Sequence, residues 1–256
     1  MPAQVDAADF ILTTEGLTKE FAGFIAVRNV DLRIRRGTIH ALIGPNGAGK
    51  STCFNLLTKF IEPTSGRITY NGRDITGFEP VEIARLGLVR SFQISAVFPH
   101  LSVLENVRVA VQRQRGDSFD FWRPATVLRG LNERSVALLD AVGLTPWAGI
   151  LAGELPYGRK RALEIATTLA LEPEMMLLDE PTSGMTAEDV LRIADLIRRA
   201  SAGRTVLMVE HNLSVVSRLS DRITVLARGE VLAEGNYEQV SRDPRVVEAY
   251  IGTGHA

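Results

Sequence analysis

At 256 residues the chain is long for one average domain and short for two, so one large domain with an attached subdomain is expected. Its 45% hydrophobic and 23% charged residues exclude a disordered chain. With 29 basic and 30 acidic side chains, a formal net charge of -1, there is no overall field to draw it to nucleic acid or an anionic membrane.

Residues Met1 to Phe10 carry Asp6 and Asp9 where a secretory signal needs a basic and then an apolar stretch, so no signal peptide is expected. Nowhere do about 18 apolar residues run uninterrupted, so no membrane-spanning helix is expected either. From Ile11 to Ile34 the pattern predicts strands. Val30-Asp31-Leu32-Arg33-Ile34-Arg35 alternates apolar and charged residues, the mark of a half-exposed antiparallel lobe. Thr38 to Ile43 reads as an apolar strand entering a glycine-rich loop, and a helix is predicted from about Gly49 to Phe60. Ile68 to Asn71 and Gly72 to Ile75 form an expected hairpin turning on Asn71-Gly72.

Beyond Gln93, Leu101, Leu104, Val107 and Val111 share a helical face, and a second helix is expected through Asn132 to Val142. Arg113 to Arg129 reads as an irregular connection between them. Helices are predicted over Arg159 to Leu171 and Ala187 to Ala200, and strands buried on both faces over Met175 to Leu178 and Thr205 to Val209. A hairpin around Arg228-Gly229 and a helix from Arg245 to Ile251 close the chain. The lone Cys53 is read as a small core residue in a reducing compartment. Strands alternating with helices make an α/β core.

Gly44-Pro45-Asn46-Gly47-Ala48-Gly49-Lys50-Ser51 fits G-x-x-x-x-G-K-[ST] and lies between a predicted strand and helix. The glycines let successive N–H groups face a polyphosphate, Lys50 reaches the β- and γ-phosphates, and Ser51, with Thr52 behind it, offers a hydroxyl to Mg²⁺. Leu177-Leu178-Asp179-Glu180 places two carboxylates at the C-terminal end of a strand, where open parallel sheets bind ligands. Asp179 suits the Mg²⁺ shell, and Glu180 is placed to take a proton from the attacking water. His211 ends the next apolar strand and is expected to hydrogen-bond the γ-phosphate. Gln93 marks the passage into the helical section, where its amide can ligate Mg²⁺ or the attacking water.

These elements, in this order and over almost the whole chain, resemble the ATP-binding subunits of ABC transporters. Leu155-Pro156-Tyr157-Gly158-Arg159 occupies the place of the family signature Leu-Ser-Gly-Gly-Gln. The resemblance implies a P-loop NTPase (RecA-like) α/β core with an antiparallel β lobe, spanning 1–93 and 159–256, and an α-helical subdomain over 94–158. It implies ATP and Mg²⁺ as ligands and a head-to-tail dimer in which the Tyr157-Gly158 turn of one subunit caps ATP on the other. Phe21 falls where the family stacks an aromatic ring on adenine. Pro156 and Arg159 depart from the family's Ser and Gln, which implies a working site with weaker γ-phosphate capture, and Ser183-Gly184-Met185-Thr186 lacks the family's usual Asp, which leaves a cross-dimer role for Thr186 open.

The Gly23 to Val27 region, the Leu-x-Tyr-Gly form of the signature and the ending Val246 to Gly252 are similar to ATPases of branched-chain amino acid importers. Closely similar subunits serve urea or short-amide uptake. The implied partners are a like or unlike second ATPase, integral-membrane permeases and, indirectly, a periplasmic or extracellular solute-binding protein. The implied location is the cytoplasm, on the inner face of the cell membrane. Other classes weighed are a soluble ABC protein of translation or DNA repair, a GTPase, and a poorly hydrolysing partner in a mixed dimer. A single phosphate loop, no sustained heptads and no Asn-Lys-x-Asp segment speak against the first two.

Overall fold

The structure, a computed structural model, describes residues 9–91, 97–114 and 125–251. In chain order, β1 (Phe10–Phe21), β2 (Phe24–Val30) and β3 (Arg33–Arg35) precede β4 (Ile39–Ile43), which runs into the phosphate loop and α1 (Lys50–Leu57). Next come β5 (Ser65–Tyr70), β6 (Arg73–Asp74), α2 (Pro80–Arg85) and β7 (Leu88–Ser91). The helical section holds α3 (Val103–Gln114) and α4 (Ala125–Ala141), with short 3₁₀ turns at Thr145–Trp147 and Ala152–Glu154, before α5 (Tyr157–Ala170). The chain then alternates β8 (Met175–Asp179), α6 (Ala187–Ala200), β9 (Thr205–Val209), α7 (Leu213–Leu219), β10 (Arg222–Ala227) and β11 (Glu230–Gly235), ending in α8 (Tyr237–Ser241) and α9 (Pro244–Ile251).

Two sheets result. In the lobe, β1 pairs antiparallel with β2, β3 and β5, and β6 extends β5. Asn71 and Gly72 take φ of 50° and 73°, as the predicted two-residue hairpin requires. The second sheet runs β11-β10-β4-β9-β8-β7, with β10, β4, β9, β8 and β7 parallel and β11 antiparallel at its edge.

The continuous apolar runs of β4, β8 and β9 are explained by packing on both sides. Ile39, Ala41, Ile43, Met176, Leu178, Val206 and Met208 join one hydrophobic cluster with α5, α6 and the helical section. The residues between them, Leu42, Met175, Leu177, Leu207 and Val209, join a second cluster with α1 and the lobe. The two-residue period of the strands thus divides one sheet between two apolar layers. Cys53 is fully buried in the second cluster, where burial pushes its thiol up to about 12, as a core residue and not a reactive one.

The two ends of the segment Arg113 to Arg129 depart from the expected irregular connection, while 115–124 lie outside the described residues. Helix α3 runs on to Gln114, and α4 begins at Ala125. The first predicted helix is shorter than expected. Lys59, with φ 59°, turns the chain out of the helical region just after Thr58, so α1 stops at Leu57.

Candidate functional site

Parallel pairing of β4, β9, β8 and β7 brings the C-terminal ends of these strands to one edge of the sheet. The phosphate loop leaves β4 there, Asp179 and Glu180 leave β8, and His211 follows β9, which lies between them in strand order. Residues far apart in sequence are therefore gathered where open α/β sheets bind ligands.

The phosphate loop is wedged between its neighbours. A Cβ on Gly44 (φ 151°) would stand 2.1 Å from the Leu226 carbonyl of β10, and one on Gly49 would stand 2.4 Å from the Ala26 carbonyl of β2. These two glycines are needed for packing of the loop itself, whatever it binds. Backbone bonds from Arg28 to Gly229 (2.8 Å) and from Gly229 to Ala48 (3.1 Å) tie lobe, β10–β11 turn and loop together. Lys50 Nζ donates to the carbonyls of Gly44 (2.8 Å) and Pro45 (2.9 Å), which holds the ammonium across the loop. Burial lowers its pKa below the ordinary lysine value, and Glu180 opposes that shift. Ser51 is exposed and Thr52 half-buried in the first turn of α1, whose N–H groups open toward the same loop. Such a cradle, with a cation and a helix N-terminus converging, fits a polyphosphate.

Asp179 is almost fully buried, and its Oδ2 accepts a hydrogen bond from Arg90 Nη2 at 2.5 Å. Glu180 ends β8 in a left-handed turn (φ 44°), with its N–H donated to the Val209 carbonyl of β9 at 2.9 Å. For a residue with a Cβ this backbone costs roughly 1–2 kcal/mol, a strain of the kind found at working sites.

The residue that sequence reasoning missed is Glu210. Fully buried, it accepts hydrogen bonds from the backbone and hydroxyl of Thr182, from His211 N–H (2.8 Å) and from Asn212 N–H (3.0 Å). One carboxylate thus fixes both the turn after Glu180 and the loop that carries His211. Its signal was an acid closing an apolar strand just before a helix N-cap, Asn212. The His211 side chain itself is 58% exposed, with Nδ1 at 3.9 Å from Glu210 Oε2.

Among the described residues no group of three or more His, Cys, Asp or Glu is placed to hold a metal ion alone. Ser51 and Asp179 offer oxygen donors of the kind that Mg²⁺ takes alongside water and nucleotide phosphates. Gln93, the third expected ligand, lies outside the described residues.

The signature segment opens α5 with Pro156 at the N-cap, which supplies no side-chain hydrogen bond to the first turn. The Arg159 guanidinium lies over Trp147, 3.7 Å from the ring centroid, and Tyr157 accepts a hydrogen bond from Arg161 Nη2 at 3.2 Å. Gly158 packs on α6: an added Cβ would stand 2.9 Å from Asp189 Cγ. Thr186, at the place of the family's usual Asp, caps that same helix by accepting from Asp189 N–H at 3.3 Å. Phe21, at the tip of the lobe, is 45% exposed beside Lys19 and is not packed into the lobe core.

The ABC transporter family matches residues 27–183. The chain belongs to this family of ATP-binding subunits. A second family, the branched-chain amino acid ATP-binding cassette transporters, matches residues 230–256. The high-affinity branched-chain amino acid transport ATP-binding protein LivG of Salmonella typhimurium is 39% identical over 94% of this chain and 98% of its own length. A nucleotide-free ATP-binding cassette from an ABC transporter superposes with TM-score 0.83 at 31% identity, over 95% of this chain and 99% of its own. A dimeric post-hydrolysis cassette bound to ADP and Pi superposes with TM-score 0.74 at 25% identity, over 88% of this chain and 98% of its own. The family assignment fits the fold class expected from sequence, and the chain is an ATPase of the transport-coupled kind.

Proposed function

We propose that this ATPase energises an importer of branched-chain and other hydrophobic amino acids. The reading is supported by the family match at 230–256 and by the likeness to LivG along nearly the whole chain. The observation that carries the chemistry is the gathering of the phosphate loop, Asp179, Glu180 and His211 on one sheet edge, with Lys50 close enough to Glu180 for their charges to interact.

In this reading Gly44 to Thr52 cradle the triphosphate and Lys50 holds the β- and γ-phosphates. Ser51, Asp179 and Gln93 would hold Mg²⁺, which supplies charge neutralisation at the phosphates when bound. Glu180 orients the attacking water and accepts its proton, His211 hydrogen-bonds the γ-phosphate, and Phe21 stacks on the adenine. The Tyr157-Gly158 turn of a second ATPase, a copy of this chain or an unlike one, closes the site. Arg159 remains on Trp147 and Thr186 on α6, so the cap relies on backbone N–H groups.

Partner and place follow from the same reading. No helix among the described residues is long and apolar enough to cross a membrane, and in this reading, which the likeness to ABC transporter subunits supports, permease subunits supply the passage. A groove of about 1140 Å³ between α2, β7, α3 and α5 exposes Phe60, Val81, Phe98 and Val109 and suits a permease segment. It sits where β7 leads toward Gln93, so nucleotide state and permease grip adjoin. The subunit then lies on the inner face of the membrane, with a solute-binding protein outside. ATP closes the dimer and hydrolysis releases it. Replacing Glu180 with Gln tests the assignment: turnover drops by at least about 100-fold while ATP binding persists. Undiminished turnover would remove Glu180 from the mechanism.

A further inference from the structure

Arg90 belongs to none of the motifs, yet it is the side chain bound to Asp179. Its Nη2 donates to Asp179 Oδ2 at 2.5 Å and its Nη1 to Asn55 Oδ1 at 2.6 Å. The guanidinium lies 5.7 Å from the ring centroid of Phe54 and 5.6 Å from that of Phe60. Asn55 is on α1, whose first turn carries Lys50 and Ser51. Asp179 ends β8, and Arg90 itself is on β7, the strand that leads toward Gln93. A single planar cation thereby joins the helix of the phosphate loop to the carboxylate beside it. It also lines the apolar groove.

Both partners are shielded from water, with side chains 12% and 2% exposed, so their charges interact strongly. Two consequences follow for a divalent cation at Asp179. The pairing occupies Oδ2 and leaves Oδ1 for a water of the metal shell. The fixed positive charge also opposes a second cation at the same carboxylate. An arginine suits both tasks because two nitrogens of one rigid fork reach Asn55 and Asp179 together, a geometry that the single nitrogen of a lysine does not fix.

We propose that Arg90 is a positioning residue, the counter-charge that orients Asp179 and limits how tightly it holds Mg²⁺. The proposal rests on the assignment of Asp179 to the Mg²⁺ shell. It predicts a result that structural damage does not produce: removing the charge tightens cation binding while it slows turnover.

The test uses the full chain with ADP and with Mn²⁺ as the probe, free Mn²⁺ being read by electron paramagnetic resonance. ADP affinity is measured separately in the presence of a chelator. Arg90→Gln should bind Mn²⁺ at least about tenfold more tightly, with ADP affinity unchanged and turnover at least about tenfold slower. Arg90→Lys keeps the charge and loses the fork, so it should hold Mn²⁺ within about threefold of the parent chain and turn over more slowly. If Arg90→Gln does not fold, Arg90→Met, whose stem keeps the contacts with Phe54 and Phe60, reads the same quantity. Should the parent chain take up Mn²⁺ with ADP while the neutral variants hold it equally or less tightly, the role of Arg90 is overturned. A parent chain that takes up no Mn²⁺ with ADP overturns the metal-shell assignment, and this proposal with it.

Discussion

Glu210 and His40 show how single buried groups carry consequences beyond their own positions. Replacing Glu210 with Ala removes the acceptor for the N–H groups of Thr182, His211 and Asn212. The Thr182 donor is buried while those of His211 and Asn212 are only partly so, and one buried donor left unsatisfied costs about 1–3 kcal/mol, so a loss of at least about 1 kcal/mol is expected. Denaturant unfolding measures it, and turnover should fall as well, because the turn after Glu180 and the loop that carries His211 lose their anchor. His40, fully buried on β4, bonds to Thr224 Oγ1 at 2.8 Å. Burial lowers its pKa to about 4; Glu234 opposes the shift and Arg222 adds to it. Between the unfolded value near 6.5 and about 4, the unfolded chain takes the proton that the folded chain refuses. The stabilisation is therefore complete above about pH 6.5 and lost as pH falls through about 4, a change of about 3 kcal/mol. Unfolding curves across this range should show an acid limb that His40→Gln flattens. Neither role was legible in the sequence. Lys50, Ser51, Asp179 and Glu180 announce themselves by local spacing, whereas Glu210 and Arg90 meet partners 28 and 89 positions away.

Among the elements, those defined by a long pattern were read well. Helix α6 spans Ala187–Ala200 as expected, and β8 and β9 show the burial on both faces that their apolar runs implied. Helices α2, α7 and α8, with 6, 7 and 5 residues, are too short for a periodicity window and went unread. Arg113 to Arg129 was read as irregular because Gly, Pro and Asp in its middle masked the helix ends on either side. The phosphate loop was legible as a motif, but the reason for its first glycine was not, since that reason is the Leu226 carbonyl on a strand 182 residues away. Gly44→Ala should therefore destabilise the chain by about 3 kcal/mol or more and lower the melting temperature even without nucleotide. A variant as stable as its parent, defective only in ATP binding, would contradict that origin.

At the scale of the whole molecule, the helical section and the sheet share one hydrophobic cluster, and the lobe and α1 share the other. The sheet edge between them holds the phosphate loop and the residues of the proposed chemistry, while the Tyr157-Gly158 turn is held by α5 and α6. A composite site closed by a second subunit follows from the family resemblance and could not be read from the lone chain's periodicity. The most direct test is the mass in solution of Glu180→Gln with Mg²⁺ and ATP, measured by light scattering. The expected result is twice the 28.0 kDa of one chain, falling to one chain when ADP replaces ATP. A mass of one chain with ATP fully bound would contradict closure by a second copy of this chain, and if it persisted with the unlike ATPase of the same importer added it would contradict the composite site itself.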